Sequence, residues 1–269
     1  MAQHLKAVVF DWAGTMIDFG SCAPVEALVA AFADEGIALT AEDARHDMGR
    51  AKRDHVAAAL KRPRVAEAWS AAKGQPAGEA DIERIYKALE PLMTVAAARH
   101  TELIPGAVAT VNDVRGRGLK IGSNTGYTRP MMASILKAAA EQGYAPDAVV
   151  CAGETAEGRP TPLMMWKLWA DLGIHPAAAC VKVDDAEVGI GEGRAAGCWT
   201  VGVAASGNSV GLSWAEYAAL DAAERTQRVA AAARVLSDAG AHYVIDTVAD
   251  LPGILDLIEA RLAAGELPA

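Results

Sequence analysis

The chain has 269 residues, 52% of them apolar, which is long enough for a sizeable core and for two domains. Its 25 basic and 34 acidic side chains leave a net charge of −9, which gives no support for nucleic-acid binding. No apolar run approaches the roughly 18 residues of a membrane span. No signal peptide is legible before the strand-like AVVF, and Cys22, Cys151, Cys180 and Cys198 lie far apart without a C-x-x-C, so a reduced, cytoplasmic protein with no zinc site is expected.

Short apolar runs recur along the chain: KAVVFD (6–11), LKIGSN (119–124), DAVVCAG (147–153), CVKVDD (180–185), CWTVGV (198–203) and HYVID (242–246). None alternates apolar with polar, which predicts strands buried on both faces, as in a parallel sheet. Helical stretches separate them, over 105–117, 128–142, 161–173, 187–196, about 213–238 and 250–264. Such alternation predicts a doubly wound, Rossmann-like α/β sheet. The connection from the first strand to LIPGAV (103–108) is far longer than the roughly dozen residues a crossover needs. It reads as helices: APVEALVAAFADEG, TAEDARHDMGRAKRDHVAAALKRP, RVAEAWSAAKG and DIERIYKALEPLMTVAAARH. The expectation is a core of residues 1–20 and 101–269, with a helical domain of residues 21–100 inserted after the first strand.

Open α/β sheets bind ligands at the carboxyl ends of their strands. Those ends read Asp11, then Ser123-Asn124-Thr125-Gly126, then Gly153-Glu154, then Asp184-Asp185, with Arg159 in a following loop. Two carboxylates suit Mg²⁺, a hard cation that takes oxygen ligands. Thr125, the Gly126 amide and Arg159 suit phosphoryl oxygens, and a carboxylate can attack phosphorus to form an acyl phosphate. Taken singly, each Asp reads more readily as a helix N-cap or turn residue, and Thr125 as a cap for the helix near Thr128. Their joint occurrence, in order, on successive strand ends favours a site.

VVFDWAGT, IGSNTGY, GRPTP and VKVDDAEVG resemble the four ordered motifs of the haloacid dehalogenase superfamily, whose fold carries a helical cap after the first strand. Most phosphatases of that superfamily have Asp-x-Asp in the first motif, the second Asp protonating an alkoxide leaving group. This chain has Ala13 there. Proton delivery is typically worth about 10²–10⁴-fold, so the enzyme is either impaired or expels a leaving group that does not need the acid. A carbon leaving group fits the second option, provided a protonated imine on the adjacent carbon takes up the electron pair as an enamine. HDMGRAKRDHVAAAL contains a lysine for that imine: read as one helix, Met48, Lys52, His55 and Ala59 follow i, i+4, i+7 and i+11 on a shared face. A lysine facing a closed interior has a lowered pKa, and the first turn of a helix pushes the same way. On its own Lys52 reads as a snorkelling surface lysine; Ala13 is what shifts the balance.

Together, FDWAGT and MGRAKRDH closely resemble the phosphonoacetaldehyde hydrolase family, and the similarity runs over essentially the whole chain, including AGAHYVIDTVADLP. The resemblance implies cleavage of phosphonoacetaldehyde to acetaldehyde and phosphate with Mg²⁺, in 2-aminoethylphosphonate breakdown, by a homodimer with no nucleic-acid or membrane partner. It implies Asp11 as nucleophile and Lys52 as Schiff-base lysine, with Met48, His55 and Tyr127 assisting proton transfer. Asp11, the Ala13 carbonyl and Asp185 would ligate Mg²⁺, and Thr125, Gly126 and Arg159 would hold the phosphoryl group. Two positions depart from the family pattern. Some members carry a second Asp four residues after the fourth-motif Asp, where this chain has Gly189 and Asp184 is the alternative acid. Some have a Cys where this chain has Ser21, followed by Cys22, so no thiol role is carried over. Other readings stay open: a phosphate-ester phosphatase or mutase of the same superfamily, or a non-catalytic phosphate-binding protein.

Overall fold

The computed structural model describes residues 4–268. Strand β1 (Ala7–Phe10) is followed by helices α1 (Cys22–Ala33), α2 (Ala41–Arg45), α3 (Lys52–Lys61), α4 (Pro63–Lys73) and α5 (Glu79–Arg99). The chain then alternates: α6 (Ala107–Gly116), β2 (Lys120–Thr125), α7 (Arg129–Glu141), β3 (Ala148–Cys151), α8 (Leu163–Leu172), β4 (Cys180–Asp184), α9 (Glu187–Ala196) and β5 (Trp199–Val203). It ends with α10 (Trp214–Ala219), α11 (Ala222–Asp238), β6 (Tyr243–Ile245) and α12 (Leu251–Ala263).

The strands form one parallel sheet in the order β3-β2-β1-β4-β5-β6, with Ala7 level with Lys120 on one side and Cys180 on the other. Period-2 alternation divides β1 between two apolar layers. Ala7 and Val9 join Met164, Met165 and Leu168 of α8, while Val8 and Phe10 join Val111 of α6 and Leu255 of α12. Both faces are therefore covered, which is why the strands read as unbroken apolar runs. The direction of strand order reverses between β1 and β4, opening the crevice where such sheets bind ligands.

Two helix readings need correction. The segment 40–63, expected as one helix, breaks after α2 and resumes at α3. Asp47 and Gly49 have φ of 61° and 89°, a left-handed backbone that interrupts a right-handed helix. Met48 therefore lies on a loop, not on the helical face it was expected to share with Lys52. The segment 213–238 also divides, because Asp221 starts a new helix with its side chain accepting from the Glu224 amide.

The two passages between β1 and the inserted helices run side by side. Ile17 bridges Leu103 in antiparallel fashion, and the Ile104 amide donates to the Met16 carbonyl at 2.9 Å. Asp18 accepts from the Cys22 and Ala23 amides at 3.0 and 2.9 Å, satisfying the start of α1. No helix among the described residues is long and apolar enough to cross a membrane.

Candidate active site

Asp11 follows directly on β1, its amide bonded to the Val183 carbonyl at 3.0 Å, so its carboxylate is held at the β1/β4 crevice. Asp184 and Asp185 stand at the matching end of β4. Ligand oxygens of Asp11, Asp184 and Asp185 lie within 4.8 Å of one another, and all three residues are buried. Burial and the neighbouring Asp184 raise Asp11 to about 6, against the lowering effect of Arg159 and Lys182. Burial, then repulsion from Asp11 and Asp184, pushes Asp185 well above the usual carboxylate range. A site that crowds buried acids and offers only oxygen donors fits a hard divalent cation such as Mg²⁺.

The acids are not equivalent. Asp185 and Asp11 line one small cavity together with Ala13. Asp184 instead turns inward, with Oδ2 2.9 Å from Lys182 Nζ and Oδ1 accepting from the Ala186 amide at 3.0 Å. Lys182 is fully buried and also donates to Asn124 Oδ1 at 2.5 Å. Glu192 of α9 accepts from Asn124 Nδ2 at 2.9 and 3.0 Å and lies 3.1 Å from Arg159 Nε. Arg159 donates from Nη2 to both oxygens of Asn124, at 2.8 and 2.6 Å, and its Nη1 lies 2.8 Å from Asp11 Oδ1. The reading of strand ends left out Lys182 and Glu192, and named Asn124 without the positioning role it shares with them. A charged side chain amid the apolar β4 run was the available signal, since a lysine is almost never fully buried unless paired.

Lys52 is the first residue of α3, where unpaired backbone amides disfavour a positive charge. It is 2% exposed, and its amine lies 5.1 Å from the centre of the Tyr127 ring. Burial above all, with help from Arg159, lowers its pKa to about 8, although Asp11 and Asp185 oppose the shift. The lowered pKa makes the neutral, nucleophilic form of the amine far more accessible near physiological pH than in an ordinary lysine.

The small cavity, about 20 Å³, brings together most of the expected set: Asp11, Ala13, Met48, Lys52, Thr125, Gly126, Tyr127 and Asp185. Tyr127 is buried and its hydroxyl has no partner among the described residues. Thr125 Oγ1 accepts from the Tyr127 amide at 3.1 Å, which shapes the turn between β2 and α7. Two expected residues lie outside the cavity wall. Arg159 borders a larger cleft of about 580 Å³ that also reaches Lys52. His55 is fully buried, with Nε2 against the Ala44 carbonyl at 2.9 Å and Nδ1 unpartnered among the described residues.

The loop before α3 closes the cavity from above. A Cβ at Gly126 would stand 2.5 Å from the Arg50 carbonyl oxygen, and one at Gly49 would stand 2.6 Å from Val188. The inserted helices therefore rest directly on the strand ends.

An aspartate at the switch point of such a sheet, a second acid at the end of β4 and helices inserted after the first strand are the arrangement expected of the haloacid dehalogenase-like hydrolases. The model of that family matches residues 5–197, and the chain belongs to it. Over 266 residues the chain is 48% identical to the phosphonoacetaldehyde hydrolase of Paraburkholderia xenovorans, covering 99% of this chain and 100% of that one. It is 47% identical over 268 residues to the Klebsiella pneumoniae protein of the same name, again covering 99% and 100%. A solved structure of a phosphonoacetaldehyde hydrolase-like protein from Oleispira antarctica matches with a TM-score of 0.98 at 44% identity, covering 99% of this chain and 97% of that one. Within the hydrolase class, the chain is thus a member of the phosphonoacetaldehyde hydrolase family. A β-phosphoglucomutase structure from Clostridium difficile shares the fold alone, at 15% identity and a TM-score of 0.68 over 97% of this chain and 99% of that one.

Proposed function

We propose that this enzyme hydrolyses the P–C bond of phosphonoacetaldehyde to acetaldehyde and phosphate, in the breakdown of 2-aminoethylphosphonate. The observation that carries this reading is the presence of Lys52, Asp11 and Ala13 on the wall of one small cavity. The neutral Lys52 amine adds to the aldehyde carbon and water leaves, giving a protonated imine. A carboxylate oxygen of Asp11 attacks phosphorus. The P–C bond breaks and its electron pair moves through the adjacent carbon to the imine nitrogen, giving an enamine. Protonation of the enamine carbon and hydrolysis release acetaldehyde and free Lys52, and water hydrolyses the aspartyl phosphate.

The Tyr127 hydroxyl, buried and unpartnered, and His55 behind Lys52 support the proton transfers of imine formation, with Met48 packing beside them. Thr125, the Gly126 amide and Arg159 receive the phosphoryl oxygens. Asp11, the Ala13 carbonyl and Asp185 would hold Mg²⁺, which when bound would supply positive charge to offset the negative charge of carboxylate and phosphonate. Residues 21–100 act as a cap that opens to admit substrate, since about 20 Å³ leaves space for little more than a water molecule. The working unit is a homodimer in a reducing, cytoplasmic setting, consistent with four free cysteines.

Borohydride added with phosphonoacetaldehyde should leave a reduced two-carbon adduct on Lys52, located by peptide mass spectrometry. Lys52→Arg should lower kcat/KM by roughly 10³-fold or more. Full activity in Lys52→Arg, or an adduct on another lysine, rules the imine route out. Turnover of generic phosphate esters at a comparable rate would instead favour a phosphatase, a reading that Ala13 opposes.

A further inference from the structure

Arg45, the last residue of α2, donates to no carboxylate among the described residues. Its guanidinium bridges two segments instead. Nη1 donates to the Gly20 carbonyl at 2.7 Å and the Ser21 carbonyl at 3.5 Å, where the chain leaves the core. It also reaches Asn208 in the loop after β5, at 3.2 Å to Oδ1 and 3.5 Å to the carbonyl. Nη2 donates to the Gly211 carbonyl at 2.7 Å. Asn208 returns a bond, its Nδ2 donating to the Arg45 carbonyl at 3.0 Å.

The same Asn208 points its backbone toward the catalytic end of the sheet. Its amide donates to Asp185 Oδ2 at 2.8 Å. The loop is shaped to receive the guanidinium: at Gly211, with φ of +66°, a Cβ would lie 2.6 Å from Arg45 Nε. An ionised donor makes stronger hydrogen bonds than a neutral one, and the rigid fork of arginine holds carbonyls on separate nitrogens in a fixed geometry that the single nitrogen of a lysine does not reproduce.

We propose that Arg45 is a positioning residue that couples cap closure to the orientation of Asp185, with Asn208 as the link. The proposal rests on the reading of residues 21–100 as a cap and of Asp185 as a metal ligand. Opening the cap separates Arg45 from Asn208 and Gly211, leaving the loop free and the Asp185 carboxylate less constrained. Closure restores the clamp and presents the Asn208 amide to Asp185. Coupling of this kind is reciprocal, so whatever orders Asp185 also favours the closed cap.

Two variants approach the link from opposite sides, Arg45→Ala from the cap and Asn208→Ala from the core. The second leaves the bonds of Arg45 to Gly20 and Ser21 intact, which keeps the test open should the first fail to fold. In the metal-free, substrate-free protein, both should speed amide hydrogen exchange in residues 204–212 by roughly ten- to hundredfold, as loss of a charge-assisted bond implies. Mg²⁺ binding followed by calorimetry should weaken by a similar factor, and Arg45→Lys should recover little of it. KM for phosphonoacetaldehyde should rise in both variants while borohydride still traps Lys52. Unchanged exchange in that loop, or unchanged Mg²⁺ affinity in both variants, overturns the coupling. Failure of trapping in the wild-type enzyme overturns the imine route instead, and leaves the exchange result to stand by itself.

Discussion

Asp184 occupies the space that a side chain at position 189 would need. A Cβ on Gly189 would fall 2.0 Å from its carboxylate, so the acid at 184 and the glycine at 189 require each other. That relation was foreseen only as an alternative source of hydrogen bonding, because nothing in a run of residues states which of two adjacent aspartates turns inward. His55 shows the other limit of residue-level reading. Its spacing from Lys52 was legible, but its burial depended on how α3 packs. Burial foremost, with the nearby Lys52 charge, lowers its pKa from 6.5 to about 3. The folded protein therefore binds fewer protons here than the unfolded chain between those values. Stability is unaffected above pH 6.5, declines as pH falls below it, and the loss is complete near pH 3. At pH 5 this cost is about 2 kcal/mol. Urea unfolding of His55→Gln at pH 7 and pH 5 should show an acid-induced loss smaller than that of the wild type by about this amount.

At the scale of elements, the decisive piece is the loop between α2 and α3. Apolar periodicity carried a helix straight through residues 46–51, since Met48 sits at the right spacing. The left-handed backbone at Asp47 and Gly49 breaks it, and the break lets the loop lie on the core. The function of Met48 as a cavity residue survives this correction, because the loop returns it to the side of Lys52. Gly126 is the receiving surface. Gly126→Ala would place a methyl 2.5 Å from the Arg50 carbonyl oxygen, backbone that cannot yield without lifting the loop. We expect a fall in kcat/KM on the order of 10²-fold, as misplacement of about 1 Å costs elsewhere. The urea midpoint should stay close to that of the wild type, and steady-state kinetics beside a urea titration would check both halves.

Across the whole molecule, one buried ionic network ties the sheet to its helices. Lys182 on β4 meets Asp184 on the same strand, Asn124 on β2 and Glu192 on α9, and Arg159 extends the set to Asp11. Removing one partner leaves the others buried without compensation. Lys182→Met should therefore lower unfolding free energy by about 3–5 kcal/mol, measured by urea denaturation, even though it adds apolar surface to an apolar strand.

Unbroken apolar runs, separated by helical stretches, were sufficient to place a parallel sheet and the carboxylates at its ends. Strand burial and strand polarity are local properties, carried by residue type and period. The alanine two places after Asp11, and the lysine in a distant segment, were likewise readable as a chemical pair. Tertiary structure alone decided which aspartate faces the cavity, how the loop of Met48 lies over it, and which partners Lys182, Glu192 and Arg45 take. Those outcomes arise from contacts between segments far apart in the chain, where distance, burial and charge compensation have no counterpart in local periodicity.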